Sequence, residues 1–207
     1  MPWHRVKQGE CISSIAKANG FLPTSLWQHS QNASLKNKRK DPNALKPGDR
    51  VFIPERTSQT VSAATDQKHT FVRKGAKTKV RLQVKRGAEI LADELFTLDL
   101  DGTLTEIASD ANGFVEVQIP ADVSRGSITS ANGKRITLRI GHLDPADEVS
   151  GAQARLKNLG FDVGSEDDVK GAKTTEGLRR FQKGASLTQT GELNQTTIAK
   201  LIEVHGS

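Results

Sequence analysis

The side chains able to perform acid–base or metal chemistry are few and widely separated in this 207-residue sequence. The five histidines fall in different predicted segments, at His4, His29, His69, His142 and His205. The sequence contains no His-Glu-x-x-His run and no close His/Asp pair with metal-ligand spacing, which are the usual signs of a zinc site. We therefore predict that the protein binds no metal and needs no other cofactor.

Cys11 is the only cysteine, and it stands where a predicted helix begins. A helix N-terminus can lower the pKa of a thiol and so activate it as a nucleophile. A cysteine peptidase would also need a histidine partner and a scaffold large enough to enclose a substrate. The segment around Cys11 is too small for that, so we predict a structural role. A single cysteine also excludes an internal disulfide.

A group of acidic residues could indicate a calcium site or the paired carboxylates of a glycosidase. Its members are Asp99, Asp101, Glu106 and Asp110. They lie near predicted strand ends, where acidic side chains commonly serve hairpin turns. The sequence therefore predicts no catalytic residues and no enzyme, and a hydrolytic site at these turns is the alternative.

The period of the hydrophobic residues divides the chain into three units and a linker, which gives a multidomain α+β fold class. The first unit reads as strand, helix, irregular middle and strand, and a small polar linker without periodicity follows it. Alternation with period two and regular turn signals then predict a small antiparallel β-sandwich, and the last unit is helical. The boundaries are 1–56, 57–68, 69–142 and 143–207.

The first unit has clear start and stop signals. Gly9 ends a short strand, Cys11 precedes a helix that Gly20 ends, and Pro47-Gly48 introduces a second strand. These phrases resemble the lysin motif (LysM), a βααβ module. The resemblance implies binding of the N-acetylglucosamine-containing glycans of peptidoglycan or chitin.

The lysin-motif resemblance also implies where a glycan groove lies. Its first wall follows the first strand, and its second wall follows the second helix. The matching positions are Gly9, Glu10, Cys11 and Ile12 for the first wall, and Gln31, Asn32 and Ala33 for the second. An insertion over 30–44 rebuilds the second wall. This longer form resembles lysin motifs in accessory proteins of bacterial contractile secretion systems.

The middle unit contains one recognisable sequence motif, at 110–120. It resembles the immunoglobulin-like and transthyretin-like spacer domains of bacterial surface and secreted proteins. The resemblance implies a scaffold or an interaction surface without catalytic chemistry.

The last unit shows apolar residues at helical spacing and two phrases that echo each other as an internal sequence repeat. Leu156 and Leu159 share one helix face up to Gly160, and the phrases at 171–182 and 191–201 repeat a turn followed by a helix. This pattern resembles the three-helix peptidoglycan-binding domain found beside many wall hydrolases. Asp168 departs from it, since the family commonly has glycine there. The sequence does not identify ligand residues in this unit.

The net charge of +6 resides in the first unit, where ten Lys/Arg face four Asp/Glu. The basic run at 36–40 lacks the interleaved aromatic residues of nucleic-acid grooves, so we predict no nucleic-acid partner. A solvated surface is the simplest interpretation, and attraction to an anionic wall polymer is the alternative.

No apolar run reaches the roughly 18–20 residues that span a bilayer, so we predict no membrane insertion.

The first and last units resemble domains that bind the cell wall, and the sequence shows no catalytic site. We therefore predict a non-catalytic peptidoglycan-binding protein. The order of units resembles proteins encoded beside the spike of type VI secretion systems, which implies a secretion accessory. The start of the sequence lacks a signal peptide, so we expect synthesis in the cytoplasm and export to the periplasm or a target cell by such a system. The alternatives are an adaptor that docks a secretion spike or effector protein, and a wall hydrolase. The linker predicts loose coupling of the first unit.

Overall fold

The computed structural model describes residues 3–56, 62–70, 77–87 and 89–206. Within these ranges the chain is a mixed α/β protein with six α-helices and several small antiparallel sheets. The first residues of the predicted linker, 57–61, lie outside the described ranges, and 62–70 forms neither helix nor strand.

The N-terminal module, residues 3–56, encloses a small core between two helices and a two-stranded sheet. Strands β1 and β2 pair antiparallel, and the buried side chains of Ile12, Leu26 and Val51 pack together. The elements are β1 Trp3–Arg5, α1 Ile12–Asn19, α2 Pro23–Trp27, a short 3₁₀ helix Ser30–Asn32, α3 Ala33–Arg39 and β2 Arg50–Phe52. The inserted segment thus contributes the 3₁₀ helix and α3.

Helix α1 begins and ends at the predicted signals. Cys11 is the N-cap residue and is buried in an extended conformation, and its amide donates to Ser14 Oγ at 3.0 Å. Gly20 ends the helix in the left-handed region, at φ 76°, where glycine is favoured. Cys11 therefore serves as a helix cap and part of the core.

The middle unit is built from eight short strands in the described residues. A four-stranded sheet has the order β10-β9-β6-β7, and two antiparallel pairs, β3–β8 and β4–β5, accompany it. The strands are β3 Lys77–Gln83, β4 Lys85–Arg86, β5 Glu89–Ile90, β6 Leu95–Leu100, β7 Thr103–Ala108, β8 Phe114–Pro120, β9 Arg125–Ser130 and β10 Arg135–Arg139.

The sheets of the middle unit share one core. Val115 of β8 packs in the same cluster as Phe96 and Ile128 of the four-stranded sheet. The predicted hairpin at Asp101-Gly102 is present, with both residues at positive φ, as a two-residue type I′ turn requires. The likeness to immunoglobulin or transthyretin domains stays a prediction.

The C-terminal unit contains three helices: α4 Val149–Asn158, α5 Ala172–Gly184 and α6 Gln195–His205. Leu156, Phe181 and Leu201 meet in its core, one from each helix. Gly160 follows α4 with φ 90°, as expected of a helix stop.

The predicted loose coupling of the N-terminal module is wrong in this structure. Lys17 of α1 pairs with Asp122 of the middle unit, and Gln8 Nε2 donates to the carbonyl of His142 at 3.1 Å. Arg39 of α3 donates to Glu148, the N-cap residue of α4, at 2.9 Å. The linker composition could not reveal these contacts because they involve residues about 100 positions apart.

Candidate functional site

The first predicted groove wall begins at Gly9, which lies against the middle unit. Its φ of 85° favours glycine, and a Cβ atom there would lie 2.9 Å from Cε1 of His142. The imidazole of His142 is therefore packed directly on Gly9. Part of this wall is covered by the segment that leaves β10.

The other first-wall residues are engaged inside the module. The carboxylate of Glu10 accepts from His4 Nε2 at 2.7 Å and from the amide of Lys7 at 2.8 Å. Ile12 is fully buried, and Cys11 is nearly so. Only Gly9 and Glu10 of this wall are partly exposed, so Cys11 and Ile12 offer a ligand little beyond their backbone.

The second predicted wall is divided between surface and core. Gln31 and Ala33 are exposed, whereas Asn32 is fully buried. The Asn32 side chain donates to the carbonyls of Leu26 and Phe52 at 2.8 and 3.0 Å, and it accepts from the Phe52 amide at 2.7 Å. Asn32 thus ties the 3₁₀ helix to β2. A glycan-contact role for these seven residues stays a prediction.

The structure places Pro42 and Asn43 beside the start of α1. The amide of Ile12 donates to the carbonyl of Pro42 at 2.9 Å, and Ser13 Oγ lies 3.4 Å from Asn43 Oδ1. The sequence prediction did not include these two residues, because it placed the second wall directly after α2. The signal that could have found them is the phrase before β2, which closes the module after the inserted helix.

Asp99, Asp101 and Asp110 serve turns of the middle unit, whereas Glu106 lies within strand β7. Asp99 accepts from the amide of Gly102 at 3.0 Å, and Asp110 accepts from the amides of Asn112 and Phe114, each at 2.8 Å. Among the described residues no group of three or more His, Cys, Asp or Glu side chains could hold a metal ion. None of the described helices is both long and apolar enough to cross a membrane.

The C-terminal unit is organised around two buried glutamines, and the first is Gln153 of α4. Its Nε2 lies 3.0 Å from Thr174 Oγ1 in α5 and 3.0 Å from the carbonyl of Val169. Its Oε1 accepts from the amide of Asp168 at 3.3 Å. One side chain therefore holds the loop between α4 and α5 against both helices.

Gln182 of α5 repeats this arrangement one helix later. Its Nε2 lies 2.9 Å from Thr197 Oγ1 in α6 and 3.1 Å from the carbonyl of Glu192, and its Oε1 accepts from the amide of Gly191 at 2.8 Å. A glutamine, the loop it holds and a threonine thus repeat, once over 153–174 and once over 182–197. The echoing phrases of the sequence supply the helices that carry the two threonines.

The sequence of this unit matches a known family of domains. Residues 145–201 match the family of peptidoglycan binding domains. The match spans both glutamines, both threonines, helices α4 and α5, and the part of α6 up to Leu201. It lies inside the predicted unit 143–207. No curated protein and no solved structure matches the chain.

The peptidoglycan-binding domain supports a cell-wall binding function with peptidoglycan as the partner. Sequence reasoning predicted three helices for this domain from Leu156, Leu159 and the two echoing phrases. It did not identify Gln153 and Gln182 as organising residues, although Gln182 stands in the first echoing phrase, because a polar residue in a helix gives no periodic signal.

His205 at the end of α6 makes the stability of this domain sensitive to pH. Burial, together with the nearby positive charge of Arg155, lowers its pKa from 6.5 to about 4. The unfolded chain therefore binds a proton between pH 6.5 and 4 that the folded domain excludes. Stability is full above pH 6.5 and is lost as the pH falls toward 4.

We expect His205→Gln to flatten this pH dependence. Between pH 7 and 4.5 the free energy of unfolding of the wild type should fall by about 2–3 kcal/mol more than that of the variant, because one pKa unit corresponds to about 1.4 kcal/mol. Urea unfolding followed by helical circular dichroism measures the difference. His69→Gln, at an exposed histidine, is the matched control and should leave it unchanged. Equal pH profiles for wild type and His205→Gln would refute the assignment.

Proposed function

We propose that this chain is a non-catalytic peptidoglycan-binding protein whose C-terminal domain makes the principal wall contact. The match of residues 145–201 to peptidoglycan binding domains carries the proposal. The two glutamine-held loops support it, because they give the domain a rigid framework on which a ligand surface can be built. The acidic turns of the middle unit are engaged by backbone amides, which favours a structural role for them.

We propose further that the N-terminal module is a lysin-motif-like glycan binder. Its element order supports this, since β1, α1, α2 and β2 follow one another with α3 inserted. The exposed or partly exposed side of the predicted groove consists of Glu10, the part of Gly9 that His142 leaves open, Gln31 and Ala33, and Asn43 lies near the start of α1 beside Ser13. The glycan class would be the N-acetylglucosamine-containing chain that the C-terminal domain also meets.

A role as an accessory to a contractile, type VI-like secretion system is the third part of the proposal. The inserted α3 and the phrase that leads to β2 support it through their resemblance to secretion-associated lysin motifs. The protein would be made in the cytoplasm and reach the periplasm or a target cell by injection. Loss of the tagged protein from culture medium when the sheath gene is deleted would support this route, and unchanged release would oppose it.

An adaptor that docks a secretion spike or effector is a second candidate, favoured by the surface of α3. Lys36, Lys38 and Lys40 are exposed, while Leu35 and Arg39 face inward. Deleting the insertion would remove core residues, so the sharper variant replaces the three lysines by serine. Loss of spike or effector capture with intact wall binding would favour the adaptor.

Co-sedimentation of the intact chain with purified insoluble peptidoglycan tests the principal proposal. We expect the protein to pellet with the sacculi while their turbidity stays constant. Recovery of all protein in the supernatant would refute wall binding. A steady fall in turbidity would favour the hydrolase alternative.

A further inference from the structure

An ion-pair network crosses the contact between the N-terminal module and the peptidoglycan-binding domain. We call it the interdomain clasp and define it as Arg39, Lys46, Asp49, Glu148 and Asp168. Arg39 Nη1 lies 2.9 Å from Glu148 Oε1, and Lys46 Nζ lies 3.0 Å from Glu148 Oε2 and 3.1 Å from Asp168 Oδ2. Two cations of one module thus meet two carboxylates of the other.

The N-terminal side of the clasp is preorganised. Arg39 Nε and Nη2 donate to the two oxygens of Asp49 at 2.7 and 3.0 Å, which is the bidentate geometry that suits a guanidinium. The amide of Lys46 also donates to Asp49, at 3.0 Å. Burial alone would lower the pKa of Arg39, but hydrogen bonds to Asp49 and Glu148 outweigh it and raise that pKa.

The C-terminal side is fixed by the start of α4. Glu148 is the N-cap residue of that helix, and the amide of Ser150 donates to Asp168 Oδ1 at 3.1 Å. Hydrogen bonds from Arg39 and Lys46 lower the pKa of Glu148, and those from the Ser150 amide and Lys46 lower the pKa of Asp168. Both carboxylates are therefore held in their charged form.

Asp168 occupies a backbone position that suits glycine. Its φ is 62°, in the left-handed region where residues other than glycine are uncommon. Its counterpart in the second repeat is Gly191, with φ 72°, and both amides donate to the glutamine that holds their loop. The two loops share one backbone geometry, but only the first carries a carboxylate that reaches Lys46.

We propose that Asp168 is a positioning residue which, with Glu148, fixes the orientation of the N-terminal module on the peptidoglycan-binding domain. The charged contact is what an aspartate provides there that glycine could not. The two modules then meet the wall as one body, so binding by the first raises the effective concentration of the second. The fixed orientation stands by itself, and the consequence for wall affinity rests on the proposed function.

Carbodiimide cross-linking tests the orientation in the intact chain, because this reagent joins an amine to a carboxylate in direct contact. We expect linked peptides that join Lys46 to Glu148 or Asp168, and a compact particle in small-angle X-ray scattering. The double variant Glu148→Gln/Asp168→Asn should increase the maximum dimension. Absence of the wild-type cross-links, or identical scattering for the double variant, would overturn the proposal.

Wall affinity tests the consequence. We expect Glu148→Gln/Asp168→Asn to bind insoluble peptidoglycan about 3–10-fold more weakly, because the two modules no longer engage together. Lys46→Gln should weaken binding in the same direction, and Lys46→Arg should restore it. Glu176→Gln removes one carboxylate of the same domain, paired with Arg180 on the exposed side of α5, and should change nothing. An unaltered affinity in the double variant would contradict the cooperative role.

The two proposals fail in distinguishable ways. A wild-type chain that does not bind peptidoglycan refutes the proposed function, while cross-linking and scattering still decide whether the clasp sets the orientation. A chain that binds the wall but lacks the Lys46 cross-links refutes the clasp alone.

Discussion

Gln182→Ala should destabilise the peptidoglycan-binding domain by about 3–5 kcal/mol and abolish its contribution to wall binding. The side chain is fully buried, and its removal leaves the amide of Gly191, the carbonyl of Glu192 and the hydroxyl of Thr197 without this partner. Each buried polar group left unsatisfied costs about 1–3 kcal/mol. Since whole domains are stable by only about 5–15 kcal/mol, the loss is a large part of the total.

The measurement is urea unfolding followed by circular dichroism at a helix-sensitive wavelength, to which the three C-terminal helices contribute strongly. Gln189→Ala is the matched control, because it makes the same substitution at an exposed position of the same loop. The control should lie within about 0.5 kcal/mol of the wild type. A Gln182→Ala variant as stable as Gln189→Ala would show that the glutamine does not organise the loop.

Arg39→Ala should destabilise the N-terminal module by about 3–5 kcal/mol. The Arg39 side chain is only 3% exposed, and Asp49, its bidentate partner, is 7% exposed. Removing the cation strands a buried carboxylate, which costs far more than losing a surface ion pair. Glu148 also loses its contact with α3, so the interdomain clasp should be weakened to the contacts of Lys46 with Glu148 and Asp168.

Trp27 packs against the core of this module, so its fluorescence can follow the unfolding. Lys38→Ala is the control for charge, since that side chain is 64% exposed and its Nζ lies 3.8 Å from Asp49 Oδ1. We expect almost no change in the free energy of unfolding for Lys38→Ala. Arg39→Lys should show an intermediate loss, because lysine keeps the charge but cannot make the bidentate contact of the guanidinium. Equal stability of Arg39→Ala and Lys38→Ala would contradict a buried role for Arg39.

Local signals in the sequence predicted the elements well. The cap at Cys11 and the stop at Gly20 bound α1, and the Asp101-Gly102 turn joins β6 to β7. Leu156 and Phe181 lie in the core of the C-terminal domain. These features depend on the spacing of neighbouring residues, which the sequence displays directly.

Contacts between units could not be predicted in the same way. Arg39 stands in a basic run that reads as solvated, yet it is buried between Asp49 and Glu148. Nothing in the spacing of Lys46 and Asp168 indicates that they meet. The covering of Gly9 by His142 is likewise a tertiary contact without a periodic pattern.

Wall binding through residues 145–201 is tested most directly by amide hydrogen exchange of the intact chain, with and without soluble peptidoglycan fragments. We predict slower exchange within 145–201 when the fragments saturate the protein, together with protection near Gly9 and Asn43 if the N-terminal module also binds. Unchanged exchange throughout 145–201, or protection confined to the strands of the middle unit, would contradict the proposed function.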